Sequence, residues 1–243
     1  MSLLFKVIDF FYQKKKYEFL KKKLPKKLNI FFDVGAHYGE TINEFLRYFI
    51  IKKVYSFEPS KNNFDKLKKN ADRLKKKYPL TEINVNHCGV GKKKEILSLN
   101  EITDGESNTF NTLNVNSNYF KKKKLITTIF GIKNFFKNKI PTNIISLKDY
   151  IDENKIAEID FIKIDTEGYE YNVLLGIGTN IAKINYVLFE HHYDNMIVKN
   201  YKFHDIHKLL IDNGFNRIYK TKMPFRKSFD YIYENKKNYL DRF

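Results

Sequence analysis

Four acidic positions and one histidine carry most of the chemical information in this chain. Asp33 opens the run Asp33-Val-Gly-Ala-His-Tyr-Gly39, which contains Gly35, Ala36 and His37. Glu58 ends the apolar run Val54-Tyr-Ser-Phe-Glu58 and is followed by Pro59. Asp165 and Glu167 close Ile159-Asp-Phe-Ile-Lys-Ile-Asp-Thr-Glu-Gly168, and His192 closes Val187-Leu-Phe-Glu-His-His192. A carboxylate at the end of a second strand can accept hydrogen bonds from two vicinal hydroxyls, so Glu58 suits a ribose. The glycine spacing then restricts the cofactor. A dinucleotide fingerprint needs glycine at its first, third and sixth places. Those places hold Gly35, His37 and Glu40, and an NAD reading fails.

The elements needed to position these groups are legible from periodicity. An amphipathic helix is expected over residues 3–24, with Leu3, Leu4, Val7, Phe10 and Phe11 on one side, closed by Pro25. Strands are expected at 29–34, 54–58, 82–86, 142–147, 159–165 and 186–192, with helices at 39–49, 59–78, 148–155, 170–175 and 204–213 between them. Residues 95–99 alternate like an exposed strand, and the polar stretch 103–118 reads as a loop over a site. Gly214 is placed to end the last helix, and 215–219 with 229–233 form a final strand pair around Pro224. This alternation predicts an α/β fold: a mostly parallel sheet with helices on both faces and a C-terminal antiparallel strand pair. Ligands of such sheets sit outside the carboxyl ends of the strands. Asp33, Glu58, Cys88, Asp165 with Glu167, and Glu190 with His192 all fall at such ends. The expected division is a helical extension over 1–25 and one domain over 26–243, with 92–146 an inserted segment on the acceptor side.

Composition excludes several classes. The chain has 243 residues, enough for one sizeable core, and no apolar run long enough for a transmembrane helix. Leu3 to Phe11 is interrupted by Lys6 and Asp9 and lacks a small-residue cleavage site, so a secretory signal is not expected. One cysteine, Cys88, precludes an internal disulfide and a cysteine-based zinc site, and fits a reducing, cytoplasmic setting. The net charge of +17 comes mainly from lysine, since only five arginines occur. The lysine runs are scattered, and base and phosphate recognition favours the planar arginine fork. The charge therefore reads as solvated faces, with weak membrane or polyanion contact as the secondary reading.

Asp-x-Gly-x-x-x-Gly with an acid ahead of the first glycine is similar to motif I of S-adenosylmethionine-dependent methyltransferases. Phe32-Asp-Val-Gly-Ala-His-Tyr-Gly-Glu-Thr41, Val54-Tyr-Ser-Phe-Glu-Pro59, Ile159-Asp-Phe-Ile-Lys-Ile-Asp-Thr-Glu-Gly-Tyr-Glu170 and Val187-Leu-Phe-Glu-His-His192 together resemble the FkbM family of these enzymes. The resemblance spans about 29–192 and implies a Rossmann-like methyltransferase fold and methyl transfer to oxygen, often on a sugar hydroxyl. Gly35 and Gly39 would then let the backbone approach the methionine part of the cofactor, with Ala36 and His37 between them. Asp33 would orient that loop, Glu58 and Pro59 would meet the ribose, and Cys88 and Gly89 would border the adenine. Cys88 reads as a small buried residue rather than a nucleophile. Proton removal from the acceptor has three candidate arrangements: His192 as base oriented by Glu190 or Asp165, a divalent cation on Asp165 and Glu167, or neither, with Glu167 capping the next helix and Asp165 shaping the pocket. Lys163 needs a buried partner, Asp33 or Asp165, and His191 should face away from His192. The expected partner is a small-molecule or glycan acceptor, with no specific nucleic acid. Nucleic-acid or protein methylation and a non-catalytic binding module remain the alternatives, and the oligomeric state is open.

Overall fold

In a computed structural model of the chain, residues 3–102, 107–129, 136–224 and 227–236 are described. Side chains at 3–11, which include the expected apolar stripe of the first helix, and residues 103–106 of the expected polar loop lie outside that description.

Seven strands form the main sheet: β1 (Lys27–Val34), β2 (Ile50–Phe57), β3 (Glu82–Asn86), β7 (Ile159–Ile164), β8 (Ile184–His192), β9 (Phe215–Lys222) and β10 (Ser228–Asn235). Their order is β3-β2-β1-β7-β8-β10-β9. The pairs β1–β2, β2–β3, β1–β7 and β7–β8 are parallel, and β10 runs antiparallel to both β8 and β9. The expected parallel sheet with a terminal antiparallel pair is therefore present. The order reverses between β1 and β7, which makes their carboxyl ends the place where a crevice forms.

Alternation along β1 sends side chains to two cores. Phe32 and Val34 pack with α5 (Leu147–Glu153), α6 (Glu170–Ile177) and α7 (Phe203–Asp212) through Leu147, Ile151, Val173, Leu174, Ile206 and Leu210. Phe31 faces the other layer and stacks on Phe45 at 4.3 Å, among residues of α2 (Glu40–Tyr48) and α3 (Lys61–Lys77). That layer also takes Tyr17, Leu20 and Leu24 from α1 (Leu3–Lys23) and the segment that follows it. Each fully buried Phe or Leu contributes about 1.5–3 kcal/mol relative to exposure, which is why the helices are held on both faces. At the amino ends, the Asp160 carboxylate accepts from the Asn29 and Ile30 amides at 2.7 and 2.9 Å and ties β7 to β1.

Three expectations shift. β2 starts at Ile50 rather than 54, because Lys52 and Lys53 sit at its solvated amino end and leave the hydrophobic signal to its second half. The segment after β3 is more regular than expected. β4 (Gly89–Gly91), β5 (Glu95–Ile102) and β6 (Phe136–Ser146) form a separate three-stranded sheet in the order β4-β6-β5. α4 (Asn118–Ile129) was not expected, since its lysine run hides any apolar period. α7 ends as expected: Gly214 has φ +84° and its amide donates to the Ile211 carbonyl at 2.9 Å.

Candidate active site

The loop after β1 is fixed by backbone chemistry. The amides of Gly35 and Ala36 both donate to the Phe57 carbonyl at 3.0 Å, which binds the loop to the end of β2. Gly35 has φ +77°, and a Cβ built there would lie 1.8 Å from the Asp165 carbonyl oxygen. Glycine is thus required at 35 by the contact of this turn with the end of β7, a nearer cause than the approach of a ligand. His37 is also left-handed, at φ +50°, and its amide donates to Glu58 Oε2 at 2.9 Å. Glu58 Oε1 accepts from the Ser60 amide at 3.0 Å and from Asn63 Nδ2 at 3.4 Å. Burial raises the Glu58 pKa to about 7, although the Ser60 and His37 amides favour the ionised form.

Lys163 resolves its expected ambiguity by taking both partners. It pairs across the ladder with Asp33, and its Nζ lies 3.3 Å from Asp33 Oδ1 and 3.4 Å from Asp165 Oδ2. Nζ also donates to the Gly35 carbonyl at 2.9 Å. Burial opposes the ammonium, but the two carboxylates outweigh it and hold its pKa above the ordinary value. Burial raises Asp33 to about 6 against the pull of Lys163. Burial also acts on Asp165, but Lys163 and His192 hold its pKa below the usual carboxylate range. Asp33 thus orients the glycine loop through Lys163.

At the ends of β7 and β8 the groups form a charge cluster. His192 Nε2 lies 3.3 Å from Glu190 Oε1 and 3.4 Å from Glu167 Oε2, and Nδ1 lies 3.7 Å from Asp194 Oδ2. Burial disfavours the imidazolium, but the Glu167 and Glu190 carboxylates more than offset this and raise the His192 pKa to about 10. A histidine base here would first have to give up this proton, because an imidazolium has no free lone pair. Glu190 is the group held near neutrality, raised to about 8 by burial against the attraction of His192. His191 faces away, as expected, packing against the rings of Tyr193, Tyr201 and Phe203. Burial holds it neutral, with its pKa lowered to about 3.

The loop between Asp165 and α6 is held in a strained form. Glu167 has φ +49°, and strain of this kind persists only where the surroundings over-determine it. The fully buried Glu170 accepts from the amides of Thr166 (3.1 Å) and Gly168 (2.9 Å), and Tyr201 Oη donates to its second oxygen at 2.5 Å. Glu170 receives the loop amides ahead of α6. Thr109 Oγ1 donates to the Glu167 carbonyl at 2.7 Å and Asn111 Nδ2 to the Gly168 carbonyl at 2.6 Å. The polar stretch expected as a loop over a site is therefore fastened to it.

These parts enclose a cavity of about 290 Å³ at the switch point. Gly35, Ala36, His37, Glu58, Pro59, Cys88, Gly89, Asp165 and Glu167 line it, together with Asn63, Asn108, Phe110, Lys163 and Glu190. Asp33, Gly39 and His192, expected as site residues, are not on that lining. Phe110 had no sequence signal beyond its polar neighbours, yet it decides the apolar end. A Cβ at Gly89 would lie 2.7 Å from its ring, so glycine there admits the aromatic side chain. Burial pushes the Cys88 thiol up to about 12, as suits a buried small residue rather than a nucleophile. Lys163 and His192 already lie against Asp165 and Glu167, so a divalent cation bound there would have to displace them. Among the described residues no group of three or more His, Cys, Asp and Glu side chains is arranged to hold a metal ion.

S-adenosylmethionine fits the cavity by the chemistry of its lining. Glu58 keeps acceptor capacity beyond its three donors, since a carboxylate has about four lone-pair sites. Cys88, Gly89, Val90 and Phe110 supply an apolar end.

Comparison with known proteins agrees with this geometry. Among crystal structures, an FkbM methyltransferase from Methylobacillus flagellatus KT is similar at 16% identity and TM-score 0.54, over 86% of this chain. The chain spans 44% of that enzyme's length. A magnesium protoporphyrin IX methyltransferase from Synechocystis PCC 6803 with bound S-adenosylmethionine is similar at 9% identity and TM-score 0.51, over 97% of this chain and 85% of that one. A putative tRNA (m1A22) methyltransferase from Streptococcus pneumoniae is similar at 13% identity and TM-score 0.50, over 91% of this chain and 69% of that one. At these identities the likeness is one of fold. No curated protein matches the sequence. The FkbM methyltransferase domain matches residues 33–217, from the Asp33 that anchors the glycine loop through the whole charge cluster, and the chain belongs to that family.

Proposed function

We propose that the protein transfers a methyl group from S-adenosylmethionine to a hydroxyl of a sugar, a glycan or another small polar metabolite. The observation that carries the reading is the Glu190 carboxyl, buried on the cavity wall beside Asp165 and held near neutrality. The cofactor supplies a methyl group already activated on a sulfonium: the C–S bond breaks as the C–O bond forms, leaving S-adenosylhomocysteine and a methyl ether. What remains for the chain is alignment and proton removal.

Glu58 accepts the ribose hydroxyls, with Pro59 beside it. Gly35, Ala36 and His37 present the backbone to the methionine part, and Gly39 and Asp33 shape that loop from behind. Cys88, Gly89 and Phe110 border the adenine. Glu190 is the base that takes the hydroxyl proton once ionised, since a carboxyl of pKa about 8 is close to the range that suits general bases. Glu167 and Asp165 complete the negative rim, and the His192 imidazolium positions Glu190 and Glu167. The single buried cysteine suits a reducing compartment, and we place the enzyme in the cytoplasm. No described helix is long and apolar enough to cross a membrane.

The fold likeness to a tRNA methyltransferase keeps nucleic acid as a second reading. Against it, the charge is carried by scattered lysines and only five arginines. Incubating the protein with methyl-labelled S-adenosylmethionine and, separately, neutral oligosaccharides or total RNA tests the choice. Label in alkali-stable methyl ethers of the sugar fraction is expected. Label in RNA alone would reverse it.

A further inference from the structure

Lysine runs that stand apart in the sequence meet at one end of the molecule. The last turns of α1 and α3 carry lysines at 21–23 and 75–77, and the last turn of α2 carries Arg47. Contacts join these turns to the starts of β1 and β2. Lys21 Nζ lies 5.0 Å from the Tyr48 ring centroid, and Lys26 Nζ donates to the Tyr48 carbonyl at 2.7 Å. The Ile50 amide donates to the Lys26 carbonyl at 2.9 Å, and Thr81 Oγ1 donates to the Ile51 carbonyl at 2.7 Å. Lys77 Nζ lies 5.2 Å from the ring of Tyr78, the residue that ends α3. This end is opposite the crevice: the eight residues of β1, at about 3.3 Å each, put about 26 Å between the two.

The charge here is unbalanced. Arg47 pairs with Glu44 at 2.7 Å, Lys53 with Glu82 at 2.9 Å and Lys75 with Asp72 at 4.0 Å. Lys22, Lys23, Lys27, Lys52 and Lys76 are exposed, and none has a carboxylate partner among the described residues. Lysines in a last helical turn complement the helix dipole. Lys27 and Lys52 lie at strand starts, where no comparable dipole exists, so helix capping does not account for the patch.

Two apolar side chains stand among these lysines. Ile50 is 55% exposed and pairs with Lys27 across the β1–β2 ladder. Leu80 is 90% exposed, the highest value of any large hydrophobic among the described residues, in the turn closed by the Thr81 amide on the Tyr78 carbonyl at 3.0 Å. A nucleic acid would meet the lysines through its phosphates but leave Ile50 and Leu80 in water, and the arginine at this end is already paired with Glu44. A second copy of the chain would bring the same positive charge, +17 in all. An anionic lipid surface satisfies both features, since its headgroups take ammonium groups and its interface takes apolar tips.

We infer that the end of the molecule formed by the starts of β1 and β2 and the last turns of α1 and α3 docks on an anionic lipid surface, with Ile50 and Leu80 entering the interface and the surrounding lysines on the headgroups. Docked in this way, the crevice faces the aqueous phase. The lipid then recruits the protein without entering the active site, and the inference does not depend on the methyl-transfer reading.

Flotation of the full chain with vesicles tests it, using phosphatidylcholine alone and phosphatidylcholine mixed with phosphatidylglycerol. The protein is expected to float with the mixed vesicles and to stay behind with phosphatidylcholine. Ile50→Thr combined with Leu80→Ser keeps every charge, whereas Lys22→Gln combined with Lys52→Gln and Lys76→Gln keeps both apolar side chains. Both sets should weaken partitioning, the lysine set by about 10²-fold, with melting temperatures close to wild type. Leu80→Ser alone, at a side chain almost wholly in water, serves should the pair disturb β2. A wild type that does not float with the mixed vesicles would overturn the docking, and undiminished flotation of the lysine set would overturn its location. Undiminished flotation of the apolar variants, or displacement of the vesicles by an equal phosphate concentration of RNA, would overturn the choice of lipid over other polyanions.

Discussion

The two sides of the crevice are built from different materials. On the β1–β2 side, position is set by backbone: two glycine-loop amides on the Phe57 carbonyl, and the His37 and Ser60 amides on Glu58. On the β7–β8 side, position is set by buried charge: Lys163 between Asp33 and Asp165, and His192 among Glu167, Glu190 and Asp194. The first arrangement suits a constant ligand, because backbone donors cannot change with side-chain type. The second suits proton handling, because its members shift one another's affinity for protons. The difference also sets what a mutation does. Damage on the first side should appear as lost cofactor affinity, and damage on the second as lost turnover or lost stability.

The largest effect is expected at the base. Glu190→Gln should lower turnover by about 10²–10⁴-fold, the range for a general base, while leaving S-adenosylhomocysteine affinity close to wild type. Wild-type turnover should rise with pH through about 8 as Glu190 ionises, and that limb should vanish in the variant. A retained limb would shift the role to Glu167. Next comes Lys163→Met, which strands Asp33 without its cation. Removing one member of a buried ion pair costs about 3–5 kcal/mol, and chemical denaturation should show a loss of that size. A loss below about 1 kcal/mol, the worth of an exposed pair, would contradict the view that this side is held by buried charge.

The smallest effect is a pH dependence of stability. Glu190 and His192 have folded pKa values raised to about 8 and about 10, above their ordinary 4.5 and 6.5. Groups raised in the folded state give stability that is full below the unfolded pKa and lost as pH rises through the folded one. The melting temperature of the ligand-free protein should therefore fall from about pH 4.5 to about pH 10, the Glu190 part by about pH 8 and the His192 part above pH 6.5. His192→Asn should flatten the upper part of that fall, and an unchanged slope would mean that the imidazolium is not held by its carboxylates.

The same contrast explains what was legible in the sequence. The glycine loop, Glu58 and the strand ends of β1, β2 and β7 lie in short contiguous runs whose local pattern already states their geometry. Lys16 and Asp230 are 214 residues apart, and no local pattern announces their pairing. His192 was read as a base, but its contacts with Glu167, Glu190 and Asp194 were not legible, because they depend on burial and on side chains of other elements. The small sheet of β4, β5 and β6 was missed in part because β4 is three residues long. α1 was read as an extension because its visible signals were an apolar stripe and lysine runs; that Gln13, Lys16 and Tyr17 line a cavity beside Asp230 was not legible.

Calorimetric titration of S-adenosylhomocysteine into the wild type and into Glu58→Ala tests the central claim most directly, with NAD as the comparison ligand. The account predicts one saturable site in the wild type, no binding of NAD, and affinity weakened by about 1–3 kcal/mol in the variant, the cost of losing charge-assisted hydrogen bonds. Unchanged affinity in Glu58→Ala, or equal binding of NAD, would contradict it.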